Sequence, residues 1–221
     1  MEFVVTGDGS KTLYHPGIGE HYHSKHGALQ ESEHVFLKSG FTFIVDSQQI
    51  DNVRILEVGF GTGLNFLVTA GYAKMMNIKL DYCGIEAFPL PANTIGETGY
   101  EKFIDSTIWE NFITIYPDAI NHAVEVVPGV GLEIAHTPVM AFSNDRTFDL
   151  VYFDAFAALY QPEMWSEETI SHVCSYIRPG GVFVTYAITG NLKRLMKSLG
   201  FSIEKVPGAL GKREMLRAVK L

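Results

Sequence analysis

LEVGFGTGLN, Leu56 to Asn65, decides the fold. The apolar run VRILEV leads into it and stops at a glycine turn, the pattern of a short buried parallel strand. LNFLVTAGYAKMM follows with apolar residues at helical spacing. Gly59, Gly61 and Gly63 stand at every second position, G-x-G-x-G, unlike the G-x-G-x-x-G of nicotinamide-dinucleotide binders. Glycine lets ligand atoms lie against bare backbone, and the free N–H groups of the next helix face the same place. A dinucleotide uses that helix end for its pyrophosphate. S-adenosylmethionine has no phosphate; it carries a carboxylate, an ammonium and a sulfonium. Glu57, just before the loop, is positioned to offer an acceptor near that cationic end.

Outward from the loop, the alternation continues. KLDYCGIE is expected to be the next strand, ending on Glu86. An acid there accepts both ribose hydroxyls of an adenosine, a role that nicotinamide and methionine cofactors share. FDLVYFDAF is expected as a third strand, which puts Asp154 at the carboxyl edge of the sheet, where ligands of open α/β sheets sit. A carboxylate there can take a proton or a hydrogen bond from an amine; the alternative is a loop cap. Phe156, Pro162 and Trp165 are placed either to wall that pocket or to pack. Ser166 is expected to cap a helix with Glu167 and Glu168 in its first turn. RPGG reads as a turn, GVFVTYAI as a fourth strand, and NLKRLMKSLG as a helix closed by Gly200. FSIEKV and EMLRAVKL close the chain as strands whose pairing is left open. This order implies a mostly parallel sheet covered on both faces.

The 221 residues, 47% apolar and 19% charged, suit one globular domain. The first forty are expected to be irregular. They hold five of the eight histidines (His15, His21, His23, His26 and His34), whose spacings do not repeat, and no cysteine accompanies them, so no metal is expected. Cys83 and Cys174 lie in apolar runs and read as buried free thiols in a reducing compartment. MEFVVTGDGSK lacks the features of a signal peptide, and no run approaches the roughly 18 apolar residues of a membrane span, so the cytoplasm is expected. A net charge of -8 means that any nucleic-acid substrate needs a local basic patch, or a partner that supplies one. The densest cations are Lys193, Arg194 and Lys197 with Lys212, Arg213 and Arg217.

Five segments together carry a specific resemblance: YHSKHGALQESEHVFL, EVGFGTGLNFL, DAFAALYQPEMW, RPGGVFVTYAITGNLKRLMKSLGF and GKREML. The chain resembles the tRNA 5-methylaminomethyl-2-thiouridine methyltransferase family. In some bacteria that activity is half of a bifunctional protein, and in others it is free-standing; the length here is that of the free-standing form. The resemblance implies a Rossmann-like class I S-adenosylmethionine-dependent methyltransferase, with helices on both faces of the sheet. It also implies an N-terminal extension, 1–50, covering the cofactor site of a 51–221 core. The implied reaction is N-methylation of 5-aminomethyl-2-thiouridine at the tRNA wobble position. The implied partners are tRNA and an oxidoreductase that supplies the aminomethyl precursor, with no membrane.

By the same resemblance, Glu57, Gly59, Gly61, Gly63 and Asn65 would line the methionine moiety and Glu86 would hold the ribose. Asp154 would face the amine. Tyr22, Ser24, Glu31 and His34 would cover the cofactor, while Lys212 and Arg213 would meet phosphate. Many enzymes of the superfamily carry an acid beside the adenine; here the corresponding stretch, LEIAHTPVMAF, offers His136 and Thr137, and the next loop offers Asp145. Two alternatives stand beside this reading. One is an amine-directed methyl or aminopropyl transferase acting on a small molecule. The other is a non-catalytic subunit that binds the cofactor, against which Glu57, Glu86 and Asp154 argue.

Overall fold

A computed structural model describes residues 2–209 and 212–221. The N-terminal segment is ordered rather than irregular. It forms an antiparallel meander of β1 (Glu2–Val5), β2 (Lys11–His15) and β3 (Glu20–His21). A helical span over 28–48 follows. It opens as α1 (Ala28–Glu31), runs as a π-helix through Ser32–Thr42, and returns to α-helix as α2 (Phe43–Gln48). Gly40 explains how this span lies flat on the sheet: a Cβ there would stand 2.9 Å from Tyr152 Cε1 and 3.1 Å from Val184 Cγ2.

The remaining elements build the main sheet. They are β4 (Asn52–Val58), α3 (Leu64–Met76), β5 (Lys79–Glu86), α4 (Ala92–Gly96), α5 (Ser106–Ala119), β6 (Val124–Val127), β7 (Val130–His136), β8 (Phe148–Phe153), α6 (Glu167–Ser175), β9 (Ile177–Thr185), α7 (Gly190–Ser198), β10 (Phe201–Pro207) and β11 (Glu214–Lys220). The strand order is β10-β11-β9-β8-β4-β5-β7-β6. The five central strands are parallel; β6, β10 and β11 pair antiparallel at the flanks. From β4 the chain builds outward through β5 and β7, then returns to β8 on the other side of β4. That reversal opens a crevice at the carboxyl ends of β4 and β8, the place where sheets of this kind bind ligands.

Alternation along each strand sorts the core. Ile55, Tyr82, Leu132 and Tyr152 pack with the 28–48 span, α3 and α5. Leu56, Cys83, Val151 and Phe183 pack with α6 and α7. Cys83 and Cys174 are buried and unbridged, and burial pushes both thiols up to about 12.

Three further expectations change. The β6–β7 hairpin intervenes before β8, turning at Pro128–Gly129. RPGG lies within β9, where the register against β8 shifts and Gly180 takes φ +75°. β9 ends at Thr185, which leaves Tyr186 in the loop at the carboxyl edge. Among the described residues, no helix is long and apolar enough to cross a membrane.

Candidate cofactor and acceptor site

The glycine loop leaves β4 and closes onto β5: the N–H groups of Gly59 and Phe60 both donate to Ile85 O, at 3.1 and 3.2 Å. Its three glycines have different work. Gly59 has φ +87°, and a Cβ there would stand 2.6 Å from Asp154 O. Gly61 has φ +53°, and its Cβ would stand 2.9 Å from Tyr22 Cδ1. Both line a cavity. Gly63 caps α3 at φ +77° and lies against Phe60 and Phe112, so it belongs to the packing under the loop and not to the cavity wall. At the end of β5, Glu86 Oε2 accepts the Gly61 N–H at 2.9 Å and Oε1 accepts the Phe88 N–H at 3.0 Å.

Two cavities meet here. The first, about 470 Å³, runs from Gly59, Gly61 and Glu86 to a mostly apolar end at Phe88, Thr137 and Met140. Its size is that of a small-molecule site. The second, about 340 Å³, is lined by Ser24, Glu31, Tyr186 and Lys212. Tyr22, His23, Asp154, Ala155 and Phe156 line both. Tyr22 and Phe156 meet edge to face, with ring centroids 5.1 Å apart. Asp154 is thus the carboxyl group common to both chambers.

The charges around Asp154 come from distant parts of the chain. Asn65 Nδ2 donates to Asp154 Oδ2 and to Glu57 Oε1, each at 2.8 Å, while Asn65 Oδ1 accepts from the Ser32 hydroxyl at 2.6 Å. Glu57 is fully buried and also accepts from the Tyr82 hydroxyl at 2.8 Å; burial holds its carboxyl well above the usual range. Burial and the nearby Glu31 carboxylate push Asp154 up to about 7, against the Asn65 hydrogen bond and the Lys212 charge. Glu31 Oε2 accepts the Ser24 N–H at 2.9 Å, and its Oε1 accepts from Lys212 Nζ at 2.7 Å. The Lys212 ammonium lies 3.8 Å from the centre of the Tyr186 ring, whose hydroxyl donates to Ala155 O at 2.9 Å.

The structure therefore gathers Tyr22, Ser24, Glu31, Gly59, Gly61, Glu86, Asp154, Phe156 and Lys212 at the two chambers. Glu57 and Asn65 stand one layer behind the wall, acting on the site through Asp154. His34 is displaced: its Nε2 is 2.7 Å from Pro207 O, in a separate depression beside Gly208. Trp165 lines neither chamber; its Nε1–H donates to the Phe156 backbone O at 2.8 Å. Lys212 is an internal ion-pair partner, whereas Arg213 is exposed. Arg217 is also engaged, with its Nε donating to Glu204 at 2.7 Å and its guanidinium stacked 3.6 Å over Phe43. His136 and Asp145 lie outside both chambers.

Sequence reasoning missed Tyr186, His23, His15 and Phe88. Tyr186 could have been found by the argument that found Asp154, since both directly follow a parallel strand. His23 gives no such signal. It is buried, burial lowers its imidazole to about 4, and Nδ1 is without a partner among the described residues.

A family model described as S-adenosyl-L-methionine-dependent methyltransferase matches residues 106–221. The tRNA 5-methylaminomethyl-2-thiouridine biosynthesis bifunctional protein MnmC of Magnetococcus marinus is 30% identical over 217 residues, covering 95% of this chain and 32% of that protein. The MnmC protein of Leptospira borgpetersenii is 30% identical over 213 residues, covering 88% of this chain and 31% of that protein. The chain thus spans about a third of the length of these curated relatives. Among solved structures, MNMC2 from Aquifex aeolicus shares the fold with a TM-score of 0.74 at 24% identity, over 100% of this chain and 70% of that one. Magnesium protoporphyrin IX methyltransferase from Synechocystis, solved with bound SAM, shares it with a TM-score of 0.54 at 12% identity, over 88% and 81%. The glycine loop, the crevice at the strand reversal and a family match over more than half of the sequence agree: the chain belongs to the S-adenosyl-L-methionine-dependent methyltransferases, and S-adenosylmethionine is its cofactor.

Proposed function

We propose that the chain methylates the amine of 5-aminomethyl-2-thiouridine at the wobble position of tRNA. The observation that carries this reading is the Asp154 carboxyl shared by two chambers, one sized for a cofactor and one lined by groups that suit a cationic or hydrogen-bonding acceptor. The similarity to MnmC proteins supplies the substrate class. The proposed reaction also needs an oxidoreductase that frees the primary amine.

The backbone at Gly59 and Gly61 would receive the methionine part of the cofactor, and Glu86 the ribose hydroxyls, each carboxylate oxygen keeping a lone pair beyond its backbone hydrogen bond. Residues 1–50 would cover this chamber through Tyr22 and His23. When bound, the cofactor supplies an electrophilic methyl on sulfonium. The acceptor nitrogen must be neutral to attack, yet an alkylamine has a pKa of roughly 10. Desolvation between Tyr22 and Phe156 favours the neutral form. Asp154 orients the nitrogen and takes its proton; a pKa of about 7 matches a base working near neutrality. Lys212, paired with Glu31, tempers the second chamber. Arg213, exposed beside it, would meet phosphate.

The test is methyl transfer from labelled cofactor to tRNA bearing the 5-aminomethyl group, run beside the same tRNA lacking it and beside polyamine precursors. Label confined to the aminomethyl tRNA is expected. Label only in the small amines would replace this reading with the small-molecule one.

A further inference from the structure

We infer that the outer face of α7, with Lys205, is the docking surface for the phosphate backbone of an RNA substrate; this rests on the tRNA reading above. α7 buries Leu192 and Met196 against the sheet and turns Lys193, Arg194 and Lys197 outward. Its sequence, GNLKRLMKS, holds no acid. Lys193 and Lys197 are four residues apart, a like-charge spacing that costs an isolated helix a few tenths of a kcal/mol. Among the described residues, none of the three has an ion-pair partner. Lys205 joins them from β10, with Glu214 at 3.8 Å as its ion-pair partner among the described residues. All four line one depression, in a chain of net charge -8.

Two ordinary explanations cover only part of this cluster. Lys197 in the last turn suits the helix dipole, and Lys205 on the edge strand β10 discourages sheet-to-sheet association. Neither explains Lys193 and Arg194, which have no ion-pair partner among the described residues. Arg194 also lines a groove that continues past Trp165 to Ala158, with Glu167 as its one acid. The next residue, Ala157, lines the acceptor chamber, and Tyr160 on the same loop is 42% exposed. A cationic shelf, a groove and an exposed ring thus lead to Asp154. A polyanion is needed to span that track, and RNA brings both phosphates for the shelf and unstacked bases for Tyr160. Lys212 and Arg217 are engaged internally and are not part of the shelf.

The test is the triple variant Lys193→Gln, Arg194→Gln, Lys197→Gln, with Lys79→Gln at the amino edge of the sheet as a control. Binding to transcribed tRNA is followed by fluorescence anisotropy across a salt series. The triple variant is expected to bind about tenfold or more weakly at low salt and to lose two to three units of the salt slope, roughly one per contact. Melting temperature and cofactor affinity should hold, and Lys79→Gln should match wild type. Equal slopes for triple variant and wild type overturn the shelf, as does salt-insensitive wild-type binding. Binding of anionic lipid vesicles in place of tRNA overturns it too. A slope that falls while no tRNA is methylated leaves the shelf standing and removes the wobble reaction instead.

Discussion

The Asn65 amide donates a 2.8 Å hydrogen bond to Asp154 Oδ2, tying the first turn of α3 to the carboxyl end of β8. The bond favours the carboxylate, so it holds Asp154 below the value that burial alone would give. In Asn65→Ala, Asp154 should hold its proton to higher pH. Because the proposed base works deprotonated, the acidic limb of the kcat/KM profile should move to higher pH. Glu57 also loses a partner, at a stability cost of about 1–3 kcal/mol. An acidic limb that stays in place would separate Asn65 from Asp154 in function.

Asp154→Asn keeps the shape and removes the base. Turnover should fall by about 10²-fold or more, the range for a lost general base. Cofactor affinity by calorimetry should change little, since the loop glycines and Glu86 are untouched. Wild-type turnover would reduce Asp154 to a loop residue.

Stability should respond to the same proton. Burial pushes the Asp154 carboxyl up to about 7 in the folded protein, against 3.8 for an ordinary aspartate. Between those values the folded state binds more protons than the unfolded one, so stability falls as pH rises through that window. The buried His23 imidazole, lowered to about 4, opposes this below about pH 6.5, so the Asp154 contribution is read as the difference between the melting-temperature profiles of wild type and Asp154→Asn from about pH 5 to 7.5. Relative to wild type, Asp154→Asn should lose stability less steeply as pH rises through that window, since His23 and Glu57 are common to both proteins. Parallel pH profiles for the two proteins would show that Asp154 has an ordinary pKa.

Lys212 and Arg213 are neighbours in sequence with opposite surroundings. Lys212 is 2.7 Å from Glu31 and over the Tyr186 ring, while Arg213 is exposed. Lys212→Ala should raise the Asp154 pKa further, moving the acidic limb of the rate profile upward, with the salt dependence of tRNA binding unchanged. Arg213→Ala should do the reverse, lowering the salt slope by about one. The same salt effect from both variants would return Lys212 to the phosphate-binding surface.

What could be read from the sequence is what local order determines. β4, the glycine loop, α3 and β5 follow one another without interruption, and α3 and β5 have the bounds expected from Leu64–Met76 and Lys79–Glu86. The 28–48 span was hidden because its buried positions include Ser32, Ser39 and Gly40, and because π-helical turns break the usual helical spacing. Glu31 and Lys212 are 181 residues apart, and the contact depends on how the β10–β11 end of the sheet meets the N-terminal segment. Nothing in either local stretch encodes that pairing. His34 and Trp165 belong to recognisable segments, but a matching segment does not say which side chain faces the chamber and which braces it.

Two glycines separate binding from folding. Gly61 lines the first chamber, and a side chain there would meet the Tyr22 ring, which lines the same chamber. Gly84 lies inside β5, where a Cβ would stand 2.4 Å from Phe60 Cδ2. The Phe60 ring rests on that bare backbone and stacks toward Tyr116, with centroids 6.5 Å apart. Gly61→Val should therefore fill space needed by the cofactor and abolish its binding in calorimetry, and because a valine is strained at φ +53° some melting temperature should be lost with it. Gly84→Ala should instead overpack the core at a cost of about 1–3 kcal/mol, read by denaturant unfolding. Whatever Gly84→Ala protein remains folded should still bind cofactor, though more weakly if the displaced Phe60 drags the loop. Normal cofactor affinity in Gly61→Val would mean that the loop backbone does not touch the ligand, and the methionine part of the cofactor would have to lie elsewhere in the chamber.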